Sequence, residues 1–115
     1  MVAFKRGDVV IARLPDLGGA EKFGTRPCVV VQNDDGNSEP GWYLTIVVPV
    51  TGRSVRYPFD VEIRSPEGNL DRDSVADCSQ IMVVDKVKVI KVIGQVSPVT
   101  MVAIEKAIKG TLDLS

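Results

Sequence analysis

The sequence predicts a mainly β domain: roughly five to seven short strands bent into a small barrel, with one helix packed on it at the C-terminal end. Three observations carry this. Short β-branched runs alternate with clusters of Gly, Pro, Asn and Asp. One segment alone, the last, repeats apolar residues at helical spacing. The length of 115 residues suits one core, so residues 1–115 read as a single domain.

Val9–Leu14 is rich in β-branched residues, follows Gly7-Asp8 and is closed by Pro15, which predicts the first strand. Residues 16–25 hold three glycines and read as a long loop. Cys28–Gln32 is a short strand without a polar face, so both of its faces should be covered. Asn33 to Gly41 is turn chemistry throughout. Leu44–Val50 is the next strand, and Pro49, which cannot donate to a ladder, marks an edge or the strand's end. After a polar loop from Gly52 to Pro58, Phe59, Val61 and Ile63 alternate with Asp60, Glu62 and Arg64 as a half-buried strand. Ser65–Asn69 is a turn, Asp73–Gln80 a short strand, and Ile81–Asp85 extends it or begins another. Lys86–Ile93 alternates as a last strand, with Gly94 ending it or marking a bulge. The helix opens on Ser97 and Pro98. Met101, Ile104, Ile108 and Leu112 form its apolar stripe, with Ala107 beside it, and Gly110 is the predicted breaker.

Composition narrows the function. Fourteen Lys and Arg stand against fifteen Asp and Glu, a net charge of -1. A protein that tracks duplex DNA needs a broad basic face; a chain this neutral can offer a nucleic acid only a local pocket. There is no histidine, which excludes Ser-His-Asp and Cys-His catalysis and removes the commonest zinc ligand. Cys28 and Cys78 lie in apolar or strand-like sequence and read as buried, reduced thiols, and they do not make a metal site. No cofactor is implied. No N-terminal apolar signal core and no membrane-length run is present, so a cytoplasmic protein without membrane contact is expected.

The most telling stretch is Gly24-Thr25-Arg26-Pro27, which puts one arginine at the mouth of a buried strand. Val48-Pro49-Val50-Thr51 ends the following strand in a hydroxyl. In an antiparallel pair the start of one strand lies beside the end of its neighbour, so Arg26 and Thr51 should meet at one end of the sheet. A guanidinium beside a hydroxyl on a rigid rim can hold a phosphate. Arg53, Arg56 and Tyr57 in the next loop suit a single-stranded nucleic acid, through phosphate pairing and base stacking. Trp42 and Tyr43 offer a further stacking surface.

Lys5-Arg6-Gly7-Asp8-Val9, the stretch Gly24 to Asp34, Val48 to Thr51, Asp73-Ser74-Val75, Ser79-Gln80-Ile81 and Val84-Asp85-Lys86, in that order, resemble the MazF/PemK (Kid) toxins of bacterial toxin–antitoxin modules. The resemblance runs from about Lys5 to Leu112. It implies an SH3-like barrel, a homodimer, and metal-independent, sequence-specific cleavage of single-stranded RNA. It also implies a cognate antitoxin whose C-terminal segment covers the RNA groove. Arg26 and Thr51 fall on the family's catalytic positions, and Asn33 and Gln80 on positions of substrate contact. Two positions depart from the pattern. Ser79 stands where some members carry a carboxylate assigned as a base, and Ala20, before Glu21, stands where some carry a histidine.

In RNA the 2′-hydroxyl is the nucleophile, so the protein has to orient it, remove its proton and stabilise charge on phosphorus. Arg26 suits charge stabilisation because its planar fork matches phosphate oxygens. Glu21 and Asp77 are the carboxylates left to act as a base. Glu21, Asn33, Arg53, Arg56, Ser79 and Gln80 make up the expected substrate surface. A groove lined by Arg26, Arg53 and Arg56 should also accept the acidic C-terminal segment of an antitoxin. The rival readings are a non-catalytic toxin of the same fold that binds DNA gyrase, as the related CcdB proteins do, and an SH3-like binding module without activity.

Overall fold

A computed structural model describes every residue from Met1 to Ser115. Seven strands form one antiparallel sheet: β1 (Asp8–Leu14), β2 (Gly24–Val30), β3 (Leu44–Thr51), β4 (Asp60–Ile63), β5 (Ser74–Asp77), β6 (Met82–Asp85) and β7 (Val89–Gln95). Their spatial order is β4-β5-β3-β2-β1-β7, and β6 joins by pairing with β3. Two helices complete the chain, α1 (Asp34–Ser38) and α2 (Pro98–Leu112). The fold is therefore mainly β with a C-terminal helix.

Side-chain alternation along β1, β2 and β3 sends apolar groups to both sides of the sheet. Val9, Val29 and Val48 join Ile63, Ala76, Met101 and Ile104 in a core between the sheet and α2. Val10, Cys28, Val30 and Val47 enter a second core with Phe4, Val84 and Val89. Because Val84 belongs to β6 and Val89 to β7, the sheet has to curl for both to reach this second core. The unbroken apolar run of β2 is thus covered on both faces, as the sequence implies.

β3 organises the site. It pairs with β2 along one side, with Val30 opposite Val47, Val29 opposite Val48 and Cys28 opposite Pro49. On its other side it pairs first with β6, from Leu44 to Val47, and then with β5 at Val50 and Thr51. Pro49 is buried within the strand, neither at an edge nor at the end. Val31 N donates to Ile46 O (2.9 Å), so the backbone polar groups of Ile46 face β2. By alternation those of Pro49 face the other side, at the step between β6 and β5 where no donor is required.

Several segments depart from the sequence reading. β2 starts at Gly24 and ends at Val30, because its first half pairs with β1 alone, Leu14 opposite Gly24. Within the turn-rich stretch after it, Asn33 caps a helix: its Oδ1 accepts from Gly36 N (2.8 Å) and Asp34–Ser38 make one turn of α1. Cys78–Gln80 leave β5 as a single tight turn, and Lys86–Lys88 form another before β7. Lys86 is buried there, its Nζ donating to Gly36 O (2.8 Å) and Glu39 O (3.2 Å) at the end of α1. Asp60, placed by alternation on the polar face of β4, is buried because a guanidinium meets it. Gly94 does mark a bulge: Val9 pairs with Gly94 but Val10 with Val92, leaving Ile93 as the extra residue.

α2 starts as predicted, with Ser97 Oγ accepting from Thr100 N (3.2 Å) and Pro98 in the first position. Met101 and Ile104 are buried, and Ala107 and Ile108 pack partly against the first core. Leu112, the last residue of the predicted stripe, is half exposed. The helix does not break at Gly110. It continues to Leu112 and closes at Asp113 in the left-handed region (φ 56°), where Leu114 N donates to Lys109 O (2.8 Å).

Candidate active site

Gly24 opens β2 with a φ of 82°, a conformation that favours glycine, and the chain then runs through Thr25 into Arg26. Carrying the β2–β3 register two residues beyond the Cys28–Pro49 pair sets Arg26 against Thr51. The two line one cleft of about 420 Å³ together with Thr25, Pro27, Gly52, Asp71, Arg72 and Ser74. Arg26 is half-buried, and its Nε donates to Phe23 O (3.0 Å). That bond fixes the head of the side chain and leaves the Nη groups without a protein acceptor. None of the chain's ion pairs includes Arg26: these are Arg6–Glu105, Arg53–Asp60, Arg53–Asp77 and Arg64–Glu62. An oriented, unpaired guanidinium that shares a cleft with a threonine hydroxyl has the chemistry to take an anion. A larger groove of about 720 Å³ between β4 and α2 is lined by Val61, Val99, Ala103 and Ala107 and carries no arginine.

Arg53 behaves differently from expectation. Its two Nη atoms grip Asp60 at 2.6 and 2.9 Å, and Nη2 stands 3.6 Å from Asp77 Oδ2. The Asp60 side chain is fully buried, and it also accepts from Arg56 N (2.9 Å) and Tyr57 N (3.1 Å). The Arg53 hydrogen bonds, helped by those two backbone donors, hold the Asp60 carboxyl below the usual carboxylate range, and Asp60 in turn raises Arg53. The charge of Arg53 is therefore spent within the protein, and the side chain braces the β3–β4 loop. Arg56 is exposed and unpaired in that loop but does not line the cleft.

Glu21, Ser79 and Gln80 come together in an adjoining cleft of about 430 Å³, with Leu17, Ala20, Ile81 and Met82. Gln80 Oε1 accepts from Lys22 N (2.7 Å), and Gln80 Nε2 approaches Asp77 Oδ2 at 3.5 Å. Ser79 Oγ donates to Asp77 Oδ1 (2.7 Å). Asp77 is buried, and its two oxygens are taken up by Ser79, Gln80 and Arg53. Of the two carboxylates considered as a base, only Glu21 is exposed and unpaired. Consecutive residues link a side chain of each cleft: Lys22 N donates to Gln80 Oε1, and Phe23 O accepts from Arg26 Nε.

Asn33 is not brought to this place. It sits beyond the far end of β2 from Arg26, where its side chain caps α1. Trp42 and Tyr43 precede β3 at the end opposite Thr51, and Trp42 Nε1 donates to Gln32 Oε1 (3.3 Å). Six strand residues (44–49) lie between them and Val50 at the cleft, about 20 Å of extended chain. Arg72 is the residue that sequence reasoning missed. Between Asp71 and Asp73 it reads as a solvated turn; the available signal is that it lies three residues before Val75, which pairs with Thr51. Both cysteines are buried and unpaired, and burial pushes the thiols of Cys28 and Cys78 up to about 12.

Residues 5–112 match the family model for the PemK-like, MazF-like toxin of type II toxin–antitoxin systems. Among solved structures, MazF from Deinococcus radiodurans superposes with a TM-score of 0.83 at 20% identity, over 97% of this chain and 98% of that one. The Mycobacterium tuberculosis toxin MazF-mt6 gives 0.79 at 19% identity, over 94% and 98%. A mycobacterial endoribonuclease solved in complex with its cognate antitoxin gives 0.78 at 26% identity, over 98% of each chain. With a family model matched over nearly its whole length and the fold reproduced in these structures, the chain belongs to the PemK-like, MazF-like toxin family of type II toxin–antitoxin systems.

Proposed function

We propose that this chain is an endoribonuclease toxin that cuts single-stranded RNA without a metal ion, acts as a homodimer, and is neutralised by a cognate antitoxin. The observation that carries the reading is the shared cleft of Arg26 and Thr51, in which the guanidinium keeps its Nη groups uncommitted. Family membership supports it, as does the similarity to a mycobacterial endoribonuclease solved with its antitoxin.

The 2′-oxygen forms a bond to the adjacent phosphorus while the bond from phosphorus to the 5′-oxygen breaks. The products are a 2′,3′-cyclic phosphate and a 5′-hydroxyl. The 2′-hydroxyl proton leaves to a base, for which Glu21, unlike Asp77, is free of competing bonds, and the departing 5′-oxygen takes up a proton from water. Arg26 stabilises the charge that builds on the non-bridging oxygens, and Thr51 donates one hydrogen bond to them. The part of Arg26 is electrostatic, its planar fork presenting fixed N–H donors to the phosphate oxygens. An acidic antitoxin segment competes for the same guanidinium because its carboxylates present the same charge as an RNA backbone.

The test is incubation of the purified protein with a long single-stranded RNA in EDTA. Discrete fragments ending in 2′,3′-cyclic phosphate are expected. Arg26→Ala should slow cleavage by on the order of 10²–10³ while remaining folded. Intact RNA with the parent protein, or full activity in Arg26→Ala, overturns the reading; intact RNA together with stalled gyrase would favour the CcdB-like alternative.

A further inference from the structure

We propose that Arg72 is a second phosphate-binding residue of the Arg26 cleft, held in place by the bare backbone of Gly52. The inference rests on the nuclease reading above and extends it to how the strand is gripped. Arg72 lines the cleft with Arg26, Thr51 and Gly52. Its guanidinium lies flat against Gly52: a Cβ built on that glycine would come within 2.6 Å of Arg72 Cζ and 2.9 Å of Nη2. Gly52 directly follows Thr51, so the second guanidinium sits one residue from the hydroxyl of the site. The base of Arg72 is anchored, since its carbonyl accepts from Ser74 Oγ (3.0 Å) and Ser74 begins β5, whose Val75 pairs with Thr51.

The charge of Arg72 is available. The side chain is exposed and belongs to none of the four ion pairs. Of its two acidic neighbours, Asp73 is turned away, with Oδ1 accepting from Ser65 N (3.0 Å). Asp71 also lines the cleft but makes no ion pair with Arg72. Arg26 and Arg72 therefore place two unpaired guanidinium groups in a cavity of about 420 Å³, beside the Thr51 hydroxyl and the free carboxylate of Asp71. Arg26 is half-buried and fixed at Nε, which suits it to charge that develops during reaction. Arg72 is exposed and held only by packing, which suits it to binding the phosphodiester backbone before reaction.

The two roles separate in steady-state cleavage of a single-stranded RNA. Arg72→Ala should raise KM by on the order of tenfold, the scale of one charged hydrogen bond, and leave kcat within about threefold. Losing one phosphate contact should also lower the dependence of log affinity on log salt by about 0.7. Arg72→Lys should recover part of the KM, since a point charge still binds phosphate. Gly52→Ala fills the place of the guanidinium and should raise KM similarly. Added to Arg72→Ala it should raise KM no further, which a purely structural role of either residue would not produce. Equal KM and salt slope in Arg72→Ala and the parent overturn the proposal, as does a fully additive double variant. Should the parent cut no RNA, the nuclease reading fails on its own. Arg72 is then judged by binding of a single-stranded 2′-deoxyoligonucleotide, where weaker binding by Arg72→Ala supports the assignment and equal binding overturns it.

Discussion

Asp60 is buried with four hydrogen bonds to its oxygens, two of them from Arg53. Removing a single partner of such a pair leaves the other charge in a poorly solvated place, so Arg53→Ala should destabilise the fold by about 3 kcal/mol at neutral pH. The loss should depend on pH in a defined sense. The Asp60 carboxyl is held below its usual value when folded, so its contribution is fully present above the unfolded value of about 4 and disappears as pH falls through the folded one. Urea unfolding at several pH values should show parent and Arg53→Ala converging in acid. A gap of constant size down to pH 2 would mean that the ion pair is not what Arg53 contributes. The same pair explains why Arg53 was misread from sequence. A cation in a polar loop looks free until the strand that follows brings a buried carboxylate under it, and Asp60 itself is disguised by its place in an alternating strand.

At the level of elements, the strands and α2 were legible because their patterns are intrinsic to short windows. Val9–Leu14 and Leu44–Val50 carry their own β-branched signal, and Ser97-Pro98 mark a helix start by chemistry that needs no tertiary context. The Arg26–Thr51 meeting was legible because adjacent antiparallel strands leave little choice of neighbour. What was not legible depends on distant partners. Five residues of α1 form a helix only with Asn33 capping one end and buried Lys86 satisfying carbonyls at the other. Asn33→Ala should therefore lower stability by about 1 kcal/mol, whereas Asn33→Asp, an equally good cap, should retain it. Thermal unfolding reads both. A fall in RNA cleavage by Asn33→Ala at unchanged Tm would instead support a contact with substrate.

For the whole molecule, the two cores lie on opposite faces of shared strands, and each contains one cysteine, Cys78 in the core under α2 and Cys28 in the other. Strands buried on both sides couple the cores, so the domain should unfold as one unit. The thiols report on this. With their pKa values pushed up to about 12, roughly one in 10⁴ is ionised at pH 8, and native alkylation should be slow. Both cysteines should become reactive at the same urea concentration, as resolved by mass spectrometry of labelled peptides. Separate midpoints would show that one core opens before the other.

A single run of polar contacts joins Asp60, Arg53, Asp77, Gln80 and the amide of Lys22, and Phe23, the next residue, receives the Arg26 head. The two lips of the Arg26 trough are thus stitched by one seam. A protein that prised either lip aside would have to unpick a solvent-shielded carboxylate knot, so an inhibitor gains more by settling into the trough as it stands than by wrenching it open.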